Sequence, residues 1–329
     1  SLEADIMKIA MIGSGAAGSV FACYLRRGGA DITLVDPYKE HMDKVAKEGM
    51  TFVIYPDQTY HVDGFKTAYN ADDIGVMDIV IFMTKTTTLE AAIKTAMPCI
   101  GPETVLVSLM NGLGNEDKLA AVVGEERVLF GSGSLGTFLD GPGKCMSSPG
   151  ARDIQMNFGP MKQSELNERA GKYLEKTYND GGVPTKYWDD VRPKLWTKIV
   201  SNCALNAPAS LMRLKSRYML EDPVGYSIID SIIRECCAVA TASGVPMDPA
   251  VCMKGLMDGK DKGIGDYYPS MAQDVLMHRR QTEIGTLNGA IVDYGKRYGV
   301  PTPYNEVVAK LIMAIENNYE VGYDADKQS

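Results

Sequence analysis

Histidine is scarce in this sequence. The three present, His41, His61 and His278, stand in no spacing that pairs them with a second metal ligand or a nucleophile signature. A metal site and a Ser/His or Cys/His hydrolase are both disfavoured on that count. The seven cysteines include no C-x-x-C pair, and an odd set fits neither a zinc site nor a disulfide framework, so buried thiols are expected. No block of lysines and arginines occurs, and the formal net charge is -8, which argues against a phosphate backbone as ligand. The longest apolar runs, such as VMDIVIFM and TVLVSLM, fall short of the roughly 18 residues that span a bilayer. The opening SLEADIMKIAMIG has no basic region followed by an apolar one, so no secretory signal is read there. Ser1–Ile6 reads in part as an expression remnant, and a cytoplasmic setting is expected.

What the sequence does have is length and regular alternation. At 329 residues, two domains are expected. From Lys8 the pattern runs strand KIAMI, glycine turn, helix AAGSVFACYLRRGG and strand DITLVD, which is a βαβ unit. Further apolar strands at MDIVIFMT and TVLVSLMN, with the helical LEAAIKTAM between them, and another at RVLFGSGSLG, imply a parallel sheet covered on both faces. Residues 136–160 are rich in Gly, Pro and Ser and read as turns joining short antiparallel strands, after which SELNERAGKYLEKTYND reads as a surface helix ending at Gly181-Gly182. Beyond Trp188 strand signals nearly vanish and long helical patterns take over. The expected fold is α/β: a Rossmann-like parallel-sheet domain over 1–187 that binds a dinucleotide, followed by an all-helical substrate and catalytic domain over 188–329.

Two features carry chemistry. GSGAAG, Gly13 to Gly18, lies between a strand and a helix, the context in which G-x-G-x-x-G binds a dinucleotide. Gly13 makes the tight turn, Gly15 admits the pyrophosphate, and Gly18 lets helix and strand approach, while Ser14, Ala16 and Ala17 complete the loop around a helix N-terminus. Asp36 ends the second strand where a carboxylate takes ribose hydroxyls, or else it is a turn aspartate before Pro37. The other feature is PKLWTKIVSNCALNAPAS, whose apolar residues mark a buried helix face. Lys198, Asn202 and Asn206 are threaded through it at steps of four, forming one polar stripe that faces either water or a ligand. Lysine at a helix edge also snorkels, and Asn206 also suits a C-cap before Pro208.

These stretches, with FMTKTTTLEAA, LMNGLGNEDKL and PSMAQDVLMHRRQTEIGTLNG, resemble the ketopantoate reductase family in kind and order over nearly the whole chain. The resemblance implies reduction of a 2-oxo acid, 2-dehydropantoate first among them, by hydride from NAD(P)H. It makes Lys198 the catalytic lysine and Glu283 the substrate-side glutamate, assigns Asn202, Asn206 and Ser270 to substrate, and places Asn111 near nicotinamide and substrate and Lys85 beside the cofactor. An ammonium at Lys198 would stabilise the developing alkoxide and deliver a proton, while amides orient the acid.

This sequence departs from the family at Asp36, where a neutral or basic residue is more usual; a carboxylate there favours NADH over NADPH. The spacing from Gln273-Asp274 to Thr282-Glu283 is one residue longer than usual, and KGLMDGKDKGIGDYY within 254–268 is longer too. The expected partner is a small 2-oxo acid, in a cleft between the domains, with no nucleic acid, membrane or metal; a homodimer is compatible with the sequence. Competing readings are a reductase of another branched 2-oxo acid, a β-hydroxyacid dehydrogenase, and a regulator that binds dinucleotide without turnover.

Overall fold

The computed structural model describes residues 6–149 and 153–322, so part of the Gly/Pro/Ser-rich reading and all but Ile6 of the N-terminal remnant lie outside the described residues. The chain forms two compact units: residues 1–110 with 115–191, and residues 192–329 together with the short segment Asn111–Gly114.

In the first unit, β1 (Lys8–Ile12), α1 (Ala16–Arg27) and β2 (Asp31–Val35) are followed by α2 (Lys39–Glu48), β3 (Met50–Ile54), β4 (Gln58–Val62), β5 (Lys66–Ala68), β6 (Met77–Phe82), α3 (Leu89–Ala96) and β7 (Ile100–Ser108). After the excursion at 111–114 come α4 (Asn115–Val123), β8 (Val128–Gly133), β9 (Leu135–Leu139), β10 (Lys144–Pro149), β11 (Met156–Pro160), α5 (Glu165–Asp180) and β12 (Thr185–Tyr187). The main sheet has the order β12-β11-β8-β7-β6-β1-β2-β5, parallel throughout except where β11 runs against β8.

Alternate residues of the central strands feed different cores, as a pleat of period two requires. Ile9 and Met11 of β1 and Ile79 and Ile81 of β6 pack with Phe21, Tyr24 and Leu174. Ala10, Ile12, Val80 and Phe82 instead join Leu89, Ile93 and Leu119. The near-continuous apolar runs therefore reflect burial on both faces. A second, four-stranded sheet of order β4-β3-β10-β9 packs on α1, where Tyr24 meets Phe52 edge-on at 4.9 Å and donates to Ser147 Oγ at 2.9 Å.

The second unit is helical: α6 (Arg192–Met212), α7 (Ser216–Glu221), α8 (Pro223–Ala242), α9 (Pro249–Asp261), the short α10 (Ser270–Gln273), α11 (Asn288–Tyr298) and α12 (Pro303–Glu316). Trp196, Ile199, Val200 and Cys203 of α6 form the apolar face read from the sequence, and they are buried against Ile229, Ile232 and Ile233 of α8 and Ile312 of α12. The helix runs through Pro208, which has no N–H to give the Ala204 carbonyl. Continuation is favoured because Ala207 and Ala209, on either side of Pro208, are themselves fully buried. Asn206 therefore lies inside a helix and is not a C-cap. Among the described residues no helix is long and apolar enough to cross a membrane.

Candidate active site

The order β6-β1-β2 makes the carboxyl end of β1 the point where the chain switches from one side of the sheet to the other, the place where open α/β sheets bind ligands. The glycine loop lies there. Gly13 has φ +92°, and a Cβ on it would stand 2.8 Å from the Met83 carbonyl oxygen at the end of β6. A Cβ on Gly18 would overlap the Gly13 carbonyl at 1.9 Å, whereas a Cβ on Gly15 would meet nothing within 4 Å. Gly15 caps α1 with no side-chain hydrogen bond. Among the described residues the backbone N–H groups of Gly15, Ala16 and Ala17 have no acceptor. An open glycine before unsatisfied N–H donors at the positive end of a helix fits a pyrophosphate.

Asp36 serves the loop from below. Its Oδ2 accepts from Ser14 N at 2.8 Å, and its Oδ1 accepts from Tyr38 N at 2.8 Å, an Asx turn with Pro37 at its centre. Each oxygen keeps a second lone pair, so the turn role and a ribose role are compatible. Lys85 is exposed three residues beyond β6, and its carbonyl accepts from Thr88 N and Thr88 Oγ1.

His41, set aside at the sequence level, also supports this loop. Its ring is fully buried on α2. Gly143 N donates to Nδ1 at 2.9 Å, so in the neutral ring the hydrogen lies on Nε2, which faces Ser19 Oγ at 3.1 Å and Ser14 Oγ at 3.3 Å. Ser19 Oγ in turn donates to the Ser14 carbonyl at 2.9 Å. Burial holds the ring's pKa below the ordinary histidine value, against the opposing pull of the Asp36 charge and a Ser14 hydrogen bond. The only sequence signal was a histidine five residues past Asp36, and nothing in it pointed to serines 22 and 27 positions earlier.

The polar stripe belongs to the second unit. Lys198 and Asn202 are half-buried and Asn206 is buried, so the stripe sinks progressively along α6. Lys198 Nζ donates to Asn111 Oδ1 at 2.7 Å, and Asn111 Nδ2 donates to Glu283 Oε2 at 3.3 Å. One asparagine thus links the ammonium to the carboxylate. It reaches them because Asn111–Gly114 leaves β7 and docks on the turn after Glu283. Gly112, at φ +96°, leaves no room for a Cβ, which would stand 2.6 Å from Thr286, and Leu113 N donates to the Thr286 carbonyl at 3.2 Å.

Burial raises the Glu283 carboxyl above the ordinary range; the Asn111 hydrogen bond and the Lys198 charge pull it back in part. Glu283 does not sit in a first α-helical turn, because 284–286 is a 3-10 turn and α11 starts only at Asn288. Asn202 and Asn206 have no side-chain hydrogen-bond partner among the described residues. Ser270 opens α10, is exposed, and takes no part in the Lys198–Asn111–Glu283 group.

The chain matches the family described as ketopantoate reductase PanE/ApbA over residues 9–163 and the C-terminal part of that family over residues 190–316. It is 30% identical over 321 residues to 2-dehydropantoate 2-reductase of Aquifex aeolicus, covering 94% of this chain and 97% of that protein. It is 27% identical over 311 residues to the enzyme of the same name from Streptococcus pyogenes serotype M1, covering 94% and 98%. Among solved structures, a ternary complex of D-mandelate dehydrogenase with NADH and anilino(oxo)acetate superposes with a TM-score of 0.83 at 25% identity, over 96% of this chain and 100% of that one. A 2-dehydropantoate 2-reductase from Enterococcus faecalis, described as putative in its own right, gives 0.75 at 29% identity, over 94% and 98%.

Fold and relatives together define an NAD(P)-dependent oxidoreductase acting on a CH–OH group. The open glycine loop and the lysine-bearing helix both lie within the matched segments. The chain belongs to the ketopantoate reductase family.

Proposed function

We propose that the protein reduces a 2-oxo acid to the 2-hydroxy acid, with 2-dehydropantoate as the first candidate substrate and NADH as the preferred donor. The observation that carries this is the Lys198 ammonium held at 2.7 Å by Asn111, which is itself bonded to Glu283, at the head of a stripe whose two further amides are without partners among the described residues. Gly13, Ser14, Gly15, Ala16, Ala17 and Gly18 would hold the pyrophosphate and Asp36 the adenosine ribose, with Lys85 and Asn111 toward the rest of the cofactor. When bound, the dinucleotide supplies the hydride.

The remaining work falls to the helical unit, and two effects must be supplied there. Lys198 donates a hydrogen bond to the 2-oxo oxygen, stabilises the negative charge that gathers on it and gives up a proton to form the hydroxyl. Asn111 fixes the ammonium's position so that little is lost to side-chain freedom at the moment of reaction. Asn202 and Asn206 offer amide donors to the substrate without adding charge, with Ser270 as a further contact. Glu283 keeps the site from accumulating net positive charge and orients the substrate hydroxyl.

Asp36 favours NADH because a carboxylate accepts ribose hydroxyls and repels a 2′-phosphate. Lys39, the nearest basic residue in sequence, lies over the Tyr69 ring at 5.4 Å. The likeness to D-mandelate dehydrogenase favours a second substrate reading, an aryl 2-oxo acid. One experiment separates them: oxidation of NADH and NADPH measured across 2-dehydropantoate, 2-oxo-2-phenylacetate and branched aliphatic 2-oxo acids, with Lys198→Ala as control. Turnover that falls by about 10² to 10⁴ in Lys198→Ala is expected. Absence of turnover across the panel, or turnover undiminished in Lys198→Ala, would overturn the proposal.

A further inference from the structure

Six of the seven cysteines are buried, and six form three close pairs. Cys23 lies 3.7 Å from Cys145, Cys203 lies beside Cys236, and Cys237 lies 3.7 Å from Cys252. The first two pairs are sealed, with all four residues fully buried. The third differs in that Cys252, alone among the seven, is partly exposed, while Cys237 behind it is 1% exposed. An outer thiol open to solvent backed by an inner one within reach is the arrangement of an attacking and a resolving cysteine.

The surroundings favour that division of roles. Cys252 lies four residues past the Asp248 cap of α9, near the positive end of the helix. The Cys237 thiol donates to Cys252 Sγ, which lowers the Cys252 pKa; burial and the Asp248 charge oppose this. Cys237 is held above the ordinary thiol range by the same hydrogen bond and by burial, so it stays a thiol until its partner has reacted. Bridging needs the sulfurs to close from 3.7 Å to about 2.05 Å, a change that small side-chain rotations supply when the two helices already pack together.

We propose that Cys237 and Cys252 are a redox-active dithiol, closed by a small-molecule disulfide such as oxidised glutathione into a bridge between α8 and α9. The Cys252 thiolate attacks one glutathione sulfur, forming a protein–glutathione disulfide and releasing one glutathione thiolate, which takes up a proton. Cys237 then loses its proton to solvent and attacks Cys252 Sγ, expelling the second glutathione. The protein dithiol is oxidised by two electrons and one glutathione disulfide is reduced to two thiols. The bridge would close the loop between two helices and restrict the unfolded chain, so the oxidised form should melt at a higher temperature.

The test uses the full chain incubated with oxidised glutathione under native conditions, free thiols blocked with iodoacetamide, and peptides mapped by mass. A Cys237–Cys252 linked peptide, reversed by reduced glutathione and carrying no retained glutathione, is expected. Cys237→Ser should trap glutathione on Cys252, and Cys252→Ser should not react. Persistence of glutathione on Cys252 in the parent protein would refute the resolving role of Cys237. Iodoacetamide labelling of Cys252 in the parent no faster than labelling of Cys23 and Cys145 would refute its role as the attacking thiol, with no variant needed.

Discussion

Asn111 offers the sharpest test of the proposed chemistry, because it touches both charged groups and nothing about its sequence position required that. Replacing it with Ala removes the acceptor that Lys198 Nζ meets at 2.7 Å and the donor that Glu283 Oε2 meets at 3.3 Å. A hydrogen bond to a charged group contributes about 1.5–3 kcal/mol, and the shorter bond, to the ammonium, is the stronger of the two. If that contribution is realised when charge develops on the substrate oxygen, kcat/KM for the oxo acid falls roughly 10- to 150-fold. NADH affinity, measured by fluorescence titration, should change little if Asn111 acts on Lys198 and Glu283, and should fall if it chiefly holds the cofactor.

A pH profile adds a readout that simple loosening would not give. The Glu283 carboxyl is already raised by burial, and losing the Asn111 donor raises it further, so the limb of the kcat/KM profile that reports this group moves to higher pH. Asn111→Asp keeps an oxygen for Lys198 but sets a second carboxylate against Glu283. It should recover part of the rate while moving that limb further still. An Asn111→Ala enzyme within about threefold of the parent in kcat/KM, with an unmoved profile, would refute the assignment of Asn111 as the link between ammonium and carboxylate.

The other predictions concern the cofactor carboxylate and the buried acid. Asp36→Ser should move the ratio of NADH to NADPH affinity toward NADPH while weakening both, because Ser14 N and Tyr38 N lose their acceptors; an unchanged ratio would remove the specificity argument. Glu283→Gln should cost activity yet raise stability at neutral pH. The folded carboxyl titrates above its ordinary value of 4.5, so its charge opposes folding increasingly as pH rises from 4.5 through the folded value, in full above that value, and the cost disappears below 4.5. Denaturation at pH 7 and in acid should show the Gln variant's advantage shrinking with falling pH, and a constant difference would count against burial as the cause.

The parts of this fold that the sequence makes legible are local. Strand β1, the glycine turn, α1 and β2 follow one another within thirty residues, and each announces itself by its period and its turn chemistry. The stripe on α6 is equally local, being a matter of steps of four. The pairing of β3 with β10 is not, since Thr51 opposes Lys144 and no short pattern connects them. The same holds for His41, whose partners sit on the glycine loop and on the turn at Gly143, and for Asn111, whose bonds span 87 and 172 residues. A strand-end asparagine in LMNGLG reads as a loop residue beside a cofactor, and only the docking of Gly112 against Thr286 brings it to the helical unit.

The stretch between Ser270 and Glu283 departs from regular α-helix before it reaches the candidate site. A π turn spans Asp274–His278 and ends at Arg279 in the left-handed region, φ +48°. A π turn closes its hydrogen bond over five residues where an α turn uses four, so it absorbs a single added residue within the helix. Val275 before the kink and Ile284 beyond it both remain buried in the helical core, and the 2.7 and 2.6 Å bonds from Arg280 to Asp274 cross the kink from one side to the other. The turn that carries Glu283 lies beyond this kink, where Glu283 Oε2 accepts from Asn111 Nδ2 at 3.3 Å. Ser270, on the far side of the kink, is exposed at the start of α10 and stands apart from that group, whereas Glu283 is bonded into it.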